Sequence, residues 1–103
     1  MELNLTEHGF LVSADDWNEA VAANLAELNS ITLKTEHWEI VWFMREYYAR
    51  FNYLPNTRIF VKAVANQFGI EKGNSRYLQN LFPESPLKYT CLIAGLPKPP
   101  TCL

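Results

Sequence analysis

The sequence predicts a mainly α-helical protein, an orthogonal bundle of about five helices with a small N-terminal β-hairpin and a flexible C-terminal arm. Apolar residues recur every three or four positions over most of the chain, which is typical of amphipathic helices. Ser, Asn, Gly and Pro residues separate these segments at positions typical of helix ends. The last eight residues, three of them Pro, lack the helical pattern. We therefore divide the chain into a helical domain, residues 1–95, and a mobile arm, residues 96–103.

Short alternating apolar segments on either side of Gly9 predict a small extended or hairpin structure near the N-terminus. Ser13 followed by Asp16 is a variant of the capping box, and apolar residues then continue at helical spacing. This pattern predicts a first helix over residues 14–28.

The second predicted helix, residues 35–51, is the most apolar of the chain. Its apolar residues cover a wide part of the helix surface, so we expect it to be the central, most buried helix. Pro55 predicts a turn, because proline disfavours helical backbone in the residue before it. A third helix is predicted over residues 58–68, with Gly69 as a left-handed cap.

Two shorter helices complete the predicted domain. Asn74 or Ser75 is expected to cap the fourth helix. The fifth helix should begin at Ser85 and Pro86, a typical N-cap and first-turn pair, and end at Gly95.

The composition describes a compact globular protein. A chain of 103 residues can bury its own core without a disulfide or a structural metal. The chain contains no apolar run of about 18 residues and begins without a secretion signal, so we expect a cytoplasmic protein that does not enter the membrane. In that reducing compartment, its two cysteines are expected to be thiols and not a structural bridge.

Cys102, the penultimate residue, is the first candidate for chemistry. The Pro-rich arm before it should adopt an extended polyproline conformation, and a thiol near a chain end has little to pack against unless the arm docks. Thiolates attack disulfides and persulfides, and a thiol can carry an extra sulfur as a persulfide. Cys102 therefore suits the exchange of sulfur or electrons between proteins. An accidental surface cysteine is the alternative.

Cys91 is the second candidate, and its spacing from Leu87 and Ala94 places it on the inward face of the last predicted helix. A buried core cysteine is the favoured interpretation, because cysteine is among the most buried residue types. Gly95, directly before the arm, would let the arm fold back, so a reversible bond between Cys91 and Cys102 stays open.

Charge is distributed unevenly along the chain. Residues 1–56 carry nine acidic and three basic side chains, a formal charge of −6, whereas residues 57–103 carry six basic and two acidic ones, a charge of +4. A basic half favours encounter with anionic partners or an acidic protein face. Solvent-exposed charges without a partner are the alternative. The candidate docking residues for the arm or a partner are Lys72, Arg76, Lys88 and Lys98.

Metal and cofactor sites are not expected. His8 and His37 lack cysteine or carboxylate neighbours at metal-ligand spacing, and His37 is expected to pack against or cap the second helix. Residues 73–75 lack the repeated glycines of a phosphate-binding loop. The three tryptophans fall at helical spacing and are expected to belong to the core: Trp17, Trp38 and Trp42.

The tail over residues 93–103, Ile-Ala-Gly-Leu-Pro-Lys-Pro-Pro-Thr-Cys-Leu, resembles the tail of the DsrC/TusE family. The resemblance continues upstream in residues 36–40, 45–48 and 71–78, in the same order and spacing. It covers nearly the whole chain, and the tail together with the Lys-Gly-Asn-Ser block is its most specific part.

This resemblance implies a helical bundle with a small N-terminal hairpin, and an arm whose penultimate Cys102 receives persulfide sulfur and passes it on. In TusE-type members the donor is a small relay complex of the TusBCD or DsrEFH kind, and the acceptor is a tRNA 2-thiouridylase. In DsrC-type members the arm inserts into dissimilatory sulfite reductase, and the cysteine matching Cys91 helps to form a disulfide or trisulfide. The presence of Cys91 favours the DsrC type.

Three functions are therefore considered. The leading one is a sulfur carrier that relays persulfide sulfur from Cys102. The second is a redox and sulfur-trafficking partner of sulfite reductase that uses Cys91 and Cys102 as a pair. The third, a helix-turn-helix nucleic-acid binder built from the third and fourth helices, is disfavoured by a pI of about 5.6. The sequence does not discriminate between donors, acceptors or oligomeric states.

Overall fold

Five α-helices and one short 3-10 turn form the regular structure of residues 3–100, the part of the chain that the computed structural model describes. The prediction of a mainly helical fold is confirmed. In chain order the helices are α1 (Glu19–Leu28), α2 (Thr35–Phe51), α3 (Thr57–Phe68), α4 (Ser75–Leu81) and α5 (Pro86–Ile93).

The predicted N-terminal hairpin is not supported as a pair of strands. Extended pairing within the described residues is limited to one isolated antiparallel bridge between Leu5 and Leu11. The Thr6 hydroxyl accepts the backbone N–H groups of His8 and Phe10 at 3.3 and 3.1 Å. Two backbone hydrogen bonds flank the bridge, from Thr6 N–H to the Phe10 carbonyl at 2.7 Å and from Val12 N–H to the Asn4 carbonyl at 2.8 Å. The Thr6 side chain takes the Phe10 N–H that would otherwise extend the pairing toward the turn.

The start of α1 also differs from the prediction. Ala14–Asp16 forms a single 3-10 turn, and the α-helix begins only at Glu19. Asn18 caps it, because its side chain accepts the N–H of Val21 at 2.9 Å. Ser13, the predicted cap, makes no capping bond of this kind among the described residues. Asparagine and serine are equally good N-cap residues, so the start of α1 follows from which of the two side chains makes the capping bond.

The most buried helix is α5, and the prediction that α2 would be central is wrong. α5 packs against α1, α2 and α4. Its apolar residues face these neighbours in several directions, whereas only four of the seventeen residues of α2 are buried. The buried residues of α5 are Leu87, Thr90, Cys91, Leu92 and Ile93, five of its eight.

The corner between α3 and α4 depends on close backbone approach. Gly69 closes α3 with a φ of 95°, as expected of a glycine cap, although its ψ of 164° lies outside the left-handed helical region. A Cβ on Gly73 would lie 2.1 Å from the Cα of Ala65, so only glycine fits there. Asn74 caps α4, accepting the N–H of Tyr77 at 2.9 Å. The Gly-Asn pair therefore builds the turn.

No helix within residues 3–100 has both the length and the apolar character needed to cross a bilayer.

Candidate functional site

Cys102, the predicted sulfur carrier, lies outside the described residues, as do Thr101 and Leu103. The structure describes the arm over residues 96–100, where Leu96 and Pro99 are buried and the other three residues are exposed. The mobility of the arm stays a prediction. The candidate site is therefore the place where the arm leaves the domain.

Two side chains from distant parts of the chain bind the end of α5. The indole N–H of Trp17 donates to the carbonyl oxygen of Ile93 at 2.9 Å. Nη1 of Arg45, in α2, donates to the carbonyl oxygen of Ala94 at 2.6 Å. The last carbonyls of a helix have no partner within the helix, so these bonds satisfy groups that would otherwise need water. We call Trp17 and Arg45 the carbonyl clamp.

The two clamp residues also contact each other. The guanidinium carbon of Arg45 lies 3.8 Å from the ring centroid of Trp17, the arrangement of a cation–π contact. Burial lowers the pKa of the Arg45 guanidinium from its ordinary value, and the group stays charged because arginine titrates far above neutral pH. The clamp thus places a positive charge at the C-terminal end of α5, where the helix dipole favours it.

Gly95 lets the chain turn out of α5 beneath the indole of Trp17. Its φ is 71°, and a Cβ there would lie 2.4 Å from Cδ1 of that indole. Its N–H donates to the carbonyl of Leu92 at 3.3 Å, and the N–H of Leu96 donates to the carbonyl of Cys91 at 3.0 Å. This pair of bonds is the Schellman motif, so the predicted helix end at Gly95 is confirmed.

Cys91 is fully buried in α5, at 0% relative exposure. Burial agrees with the interpretation of Cys91 as a core position. A partner protein cannot contact this thiol in the conformation observed. A redox role for Cys91 together with Cys102 stays a prediction.

The four predicted docking residues differ in their surroundings. Nζ of Lys72 is 2.6 Å from a carboxylate oxygen of Glu39 in α2, and this hydrogen bond raises the pKa of Lys72. Arg76 and Lys98 are exposed, and Lys88 is half-buried. Lys72 therefore links the α3–α4 corner to α2, and a docking role for the four stays a prediction.

His37 is a capping residue, as predicted. Its Nδ1 accepts the backbone N–H of Lys34 at 3.1 Å, and its Nε2 donates to the carbonyl of Leu81 at 2.8 Å. This bonding assigns the neutral tautomer protonated on Nε2. Burial lowers the pKa of His37, which favours the same neutral form. Within the described residues, no three His, Cys, Asp or Glu side chains gather as metal ligands.

The sequence profile of the family described as "DsrC like protein" matches residues 1–103. The chain belongs to the DsrC-like family. Sulfurtransferase TusE of Salmonella choleraesuis is 50% identical over 102 residues, covering 99% of this chain and 94% of that relative. Sulfurtransferase TusE of Escherichia coli is 49% identical over 102 residues, with coverage of 99% and 94%.

A solved structure agrees with this assignment. The NMR structure of Allochromatium vinosum DsrC matches this chain with a TM-score of 0.88 at 44% identity, covering 98% of this chain and 90% of that one. The resemblance seen in the tail and in the Lys-Gly-Asn-Ser block is therefore confirmed.

The carbonyl clamp of this DsrC-like chain was missed at the sequence level. Trp17 and Trp38 are half-buried against the core, as expected, but Trp42 is 45% exposed. Trp42 meets Trp17 edge to face, with ring centroids 5.2 Å apart. The available signal was Arg45, an arginine within an apolar row of α2.

A second surface of the DsrC-like chain is an aromatic groove of about 300 Å³ between α2 and α3. Phe43 and Phe68 meet edge to face across it, with ring centroids 5.7 Å apart. This groove explains the wide apolar coverage of α2. Its aromatic lining residues are Trp42, Phe43, Tyr47, Phe51 and Phe68.

Proposed function

We propose that this DsrC-like chain is a sulfur carrier that holds sulfur as a persulfide on Cys102. In loading, the Cys102 thiolate attacks the terminal sulfur of a donor persulfide. The sulfur–sulfur bond of the donor breaks, the donor thiolate leaves, and Cys102 gains the sulfur. Delivery is the same exchange with the carrier as donor, so each step conserves sulfur and electrons without an external oxidant.

The observation that carries this proposal is the position of Cys102 within a family that includes sulfurtransferases. The cysteine stands seven residues after the glycine that ends α5. An extended polyproline arm of that length reaches about 20 Å. Identity of 50% to a protein named sulfurtransferase TusE, over 99% of the chain, supports the same chemistry here.

For the partners, we propose the TusE type first. The donor is then a relay complex of the TusBCD or DsrEFH kind, and the acceptor is a tRNA 2-thiouridylase, all in the cytoplasm. The curated TusE relatives at about half identity support this assignment.

A DsrC-type role is the second candidate. Cys91 and the likeness to a solved DsrC structure favour it. In that role dissimilatory sulfite reductase is the partner. Cys91 and Cys102 lose two protons and two electrons to its oxidised sulfur substrate as they form a disulfide, or also take up a sulfur atom from that substrate to form a trisulfide, and a reductant restores the two thiols. Because Cys91 is fully buried, such a cycle requires the end of α5 or the arm to move first.

Complementation tests the first proposal. The wild-type chain, Cys102→Ser and Cys91→Ser are expressed in a bacterium whose own TusE gene has been deleted, and 2-thiouridine in its tRNA is measured by mass spectrometry. Restoration by the wild type and by Cys91→Ser, but not by Cys102→Ser, is the result expected of a TusE-type carrier. Loss in Cys91→Ser as well, with protein levels matched, favours the paired-cysteine role. Full restoration by Cys102→Ser contradicts both.

A further inference from the structure

We propose that Arg45 and Trp17 are positioning residues that fix the direction in which the arm leaves α5. The inference rests on the proposed function, because this direction matters only if Cys102 exchanges sulfur with partner proteins. It extends that function by assigning a role to two residues that lie far from Cys102 in the sequence.

Each carbonyl oxygen of residues 90–94, at the end of α5, accepts a hydrogen bond, and nearby backbone N–H groups supply only some of the donors. Backbone N–H groups of the following residues bind the carbonyls of Thr90, Cys91 and Leu92. The carbonyls of Ile93 and Ala94 are bound by the clamp instead. The Schellman motif closes the helix without the clamp, so the clamp adds something beyond helix termination.

What the clamp adds is orientation. A peptide unit is planar, so fixing the direction of its carbonyl also fixes the plane in which the chain continues. The clamp binds two consecutive carbonyls, Ile93 and Ala94, from two different elements: the segment before α1 and helix α2. The left-handed turn at Gly95 then rests against the Trp17 ring, which leaves no room for a side chain. The direction of the arm is thus fixed both by the bonded carbonyls of Ile93 and Ala94 and by the packing of Gly95 on Trp17.

The composition of the arm carries this direction outward. Pro-rich segments are semi-rigid and keep their direction over several residues. Leu96 and Pro99 are both buried, whereas Pro97 and Lys98 between them are exposed. A spacing of three is one turn of polyproline helix, so one face of residues 96–100 lies against the domain. The chain direction set at Gly95 is therefore kept at least as far as Pro99.

The contacts of Arg45 fit positioning better than charge neutralisation. Among the described residues Arg45 has no carboxylate within salt-bridge distance. Its guanidinium instead binds one neutral carbonyl and stacks on Trp17. A planar, stacked guanidinium holds a defined orientation, which a flexible lysine ammonium does not.

A spin label on Cys102 tests the proposal. In a Cys91→Ala background, which leaves Cys102 as the only thiol, the label broadens the amide NMR signals of every residue that it approaches. Arg45→Met and Trp17→Phe are compared with the parent chain. The matched control is Arg50→Met, the same change at an exposed arginine of α2. Trp17→Phe removes the donor to Ile93 and keeps an aromatic ring, so it decides the matter if Arg45→Met does not fold.

In the parent and in Arg50→Met, we expect broadening confined to one side of the domain. In the clamp variants the broadening on that side should fall by about half or more and spread to other faces, because a semi-rigid arm with a free exit samples more directions. An unchanged pattern in folded clamp variants overturns the proposal.

A second readout separates this proposal from the function on which it rests. Loading of Cys102 by inorganic polysulfide is followed by intact mass in the same variants without the spin label, and should stay within about twofold of the parent, since thiol reactivity depends on local pKa and access. If no chain takes up sulfur, the carrier function fails whatever the NMR pattern shows. If all take up sulfur and the patterns are identical, only the positioning role fails.

Discussion

The guanidinium of Arg45 lies 3.8 Å from the centre of the Trp17 ring, and the two side chains bind consecutive carbonyl oxygens at the end of α5. A charged hydrogen bond contributes about 1.5 to 3 kcal/mol and a cation–π contact about 0.5 to 2 kcal/mol. We therefore expect Arg45→Met to lower the free energy of unfolding by about 2 to 4 kcal/mol. Urea unfolding followed by circular dichroism measures the change.

The control for this prediction is Arg50→Met, which removes an exposed arginine from the same helix. Exposed substitutions of this kind change stability by about 0.5 kcal/mol or less. Equal losses in the two variants would show that Arg45 contributes no more than a surface charge.

A side chain at Gly95 should disturb the clamp. Gly95→Ala places a Cβ 2.4 Å from the Trp17 indole at a positive φ. Gly9→Ala is the matched control, since Gly9 also has a positive φ, of 86°, and a Cβ there would make only an ordinary contact, 3.7 Å from Cδ1 of Leu92. Both variants carry about 1 kcal/mol of backbone strain, and Gly95→Ala should lose about 1 to 3 kcal/mol more from overpacking. The difference between their urea midpoints measures the contact, and equal midpoints would mean that the indole moves aside freely.

The Lys-Gly-Asn-Ser block should be sensitive to one added methyl group. Gly73→Ala would bring a Cβ within 2.1 Å of the Ala65 backbone, so α3 and the start of α4 must separate. Overpacking of this kind costs about 1 to 3 kcal/mol, and more where backbone has to move. Thermal unfolding of Gly73→Ala is compared with that of Ser75→Ala, an exposed neighbour expected to stay close to wild type. A Gly73→Ala chain as stable as wild type would contradict the close approach.

His37 should make the fold sensitive to acid. Burial lowers the pKa of His37 in the folded chain, whereas in the unfolded chain it titrates near pH 6.5. Between these two values the unfolded state binds more protons. The contribution of neutral His37 to the free energy of unfolding is therefore complete above about pH 6.5 and is lost as the pH falls through the folded pKa. When His37 is protonated, its Nδ1 carries a proton and can no longer accept the hydrogen bond from the Lys34 N–H.

The measurement is urea unfolding at about pH 7.5 and about pH 5 for wild type, His37→Gln and His8→Gln. Wild type and His8→Gln, a change at an exposed histidine, should lose stability together between the two pH values. His37→Gln should lose less over the same interval. An equal loss in all three chains would assign the acid sensitivity to other groups.

Local signals in the sequence predicted most helix boundaries. The bounds of α2 agree with the prediction, and α4 begins at the Asn74 cap. Gly95 ends α5 because only a residue that tolerates positive φ completes the Schellman motif. The start of α1 lies at Asn18 and not at Ser13, because the Asn18 side chain makes the capping hydrogen bond.

Features that depend on tertiary contacts could not be predicted from the sequence. Wide apolar coverage of α2 predicted burial, but the structure uses much of it for the aromatic groove at the surface. The clamp joins Trp17 to Ile93 across 76 positions and Arg45 to Ala94 across 49. No periodicity or motif spacing reports contacts of that range, whereas the tail motif is contiguous and could be recognised directly.

The most direct test of sulfur carriage on Cys102 is the intact mass of wild type, Cys102→Ser and Cys91→Ser after incubation with a cysteine desulfurase and cysteine. The wild type and Cys91→Ser should each gain the mass of one sulfur atom, removable by a reductant, and Cys102→Ser should gain none. Sulfur uptake by Cys102→Ser equal to that of the wild type would contradict carriage of sulfur on the penultimate cysteine.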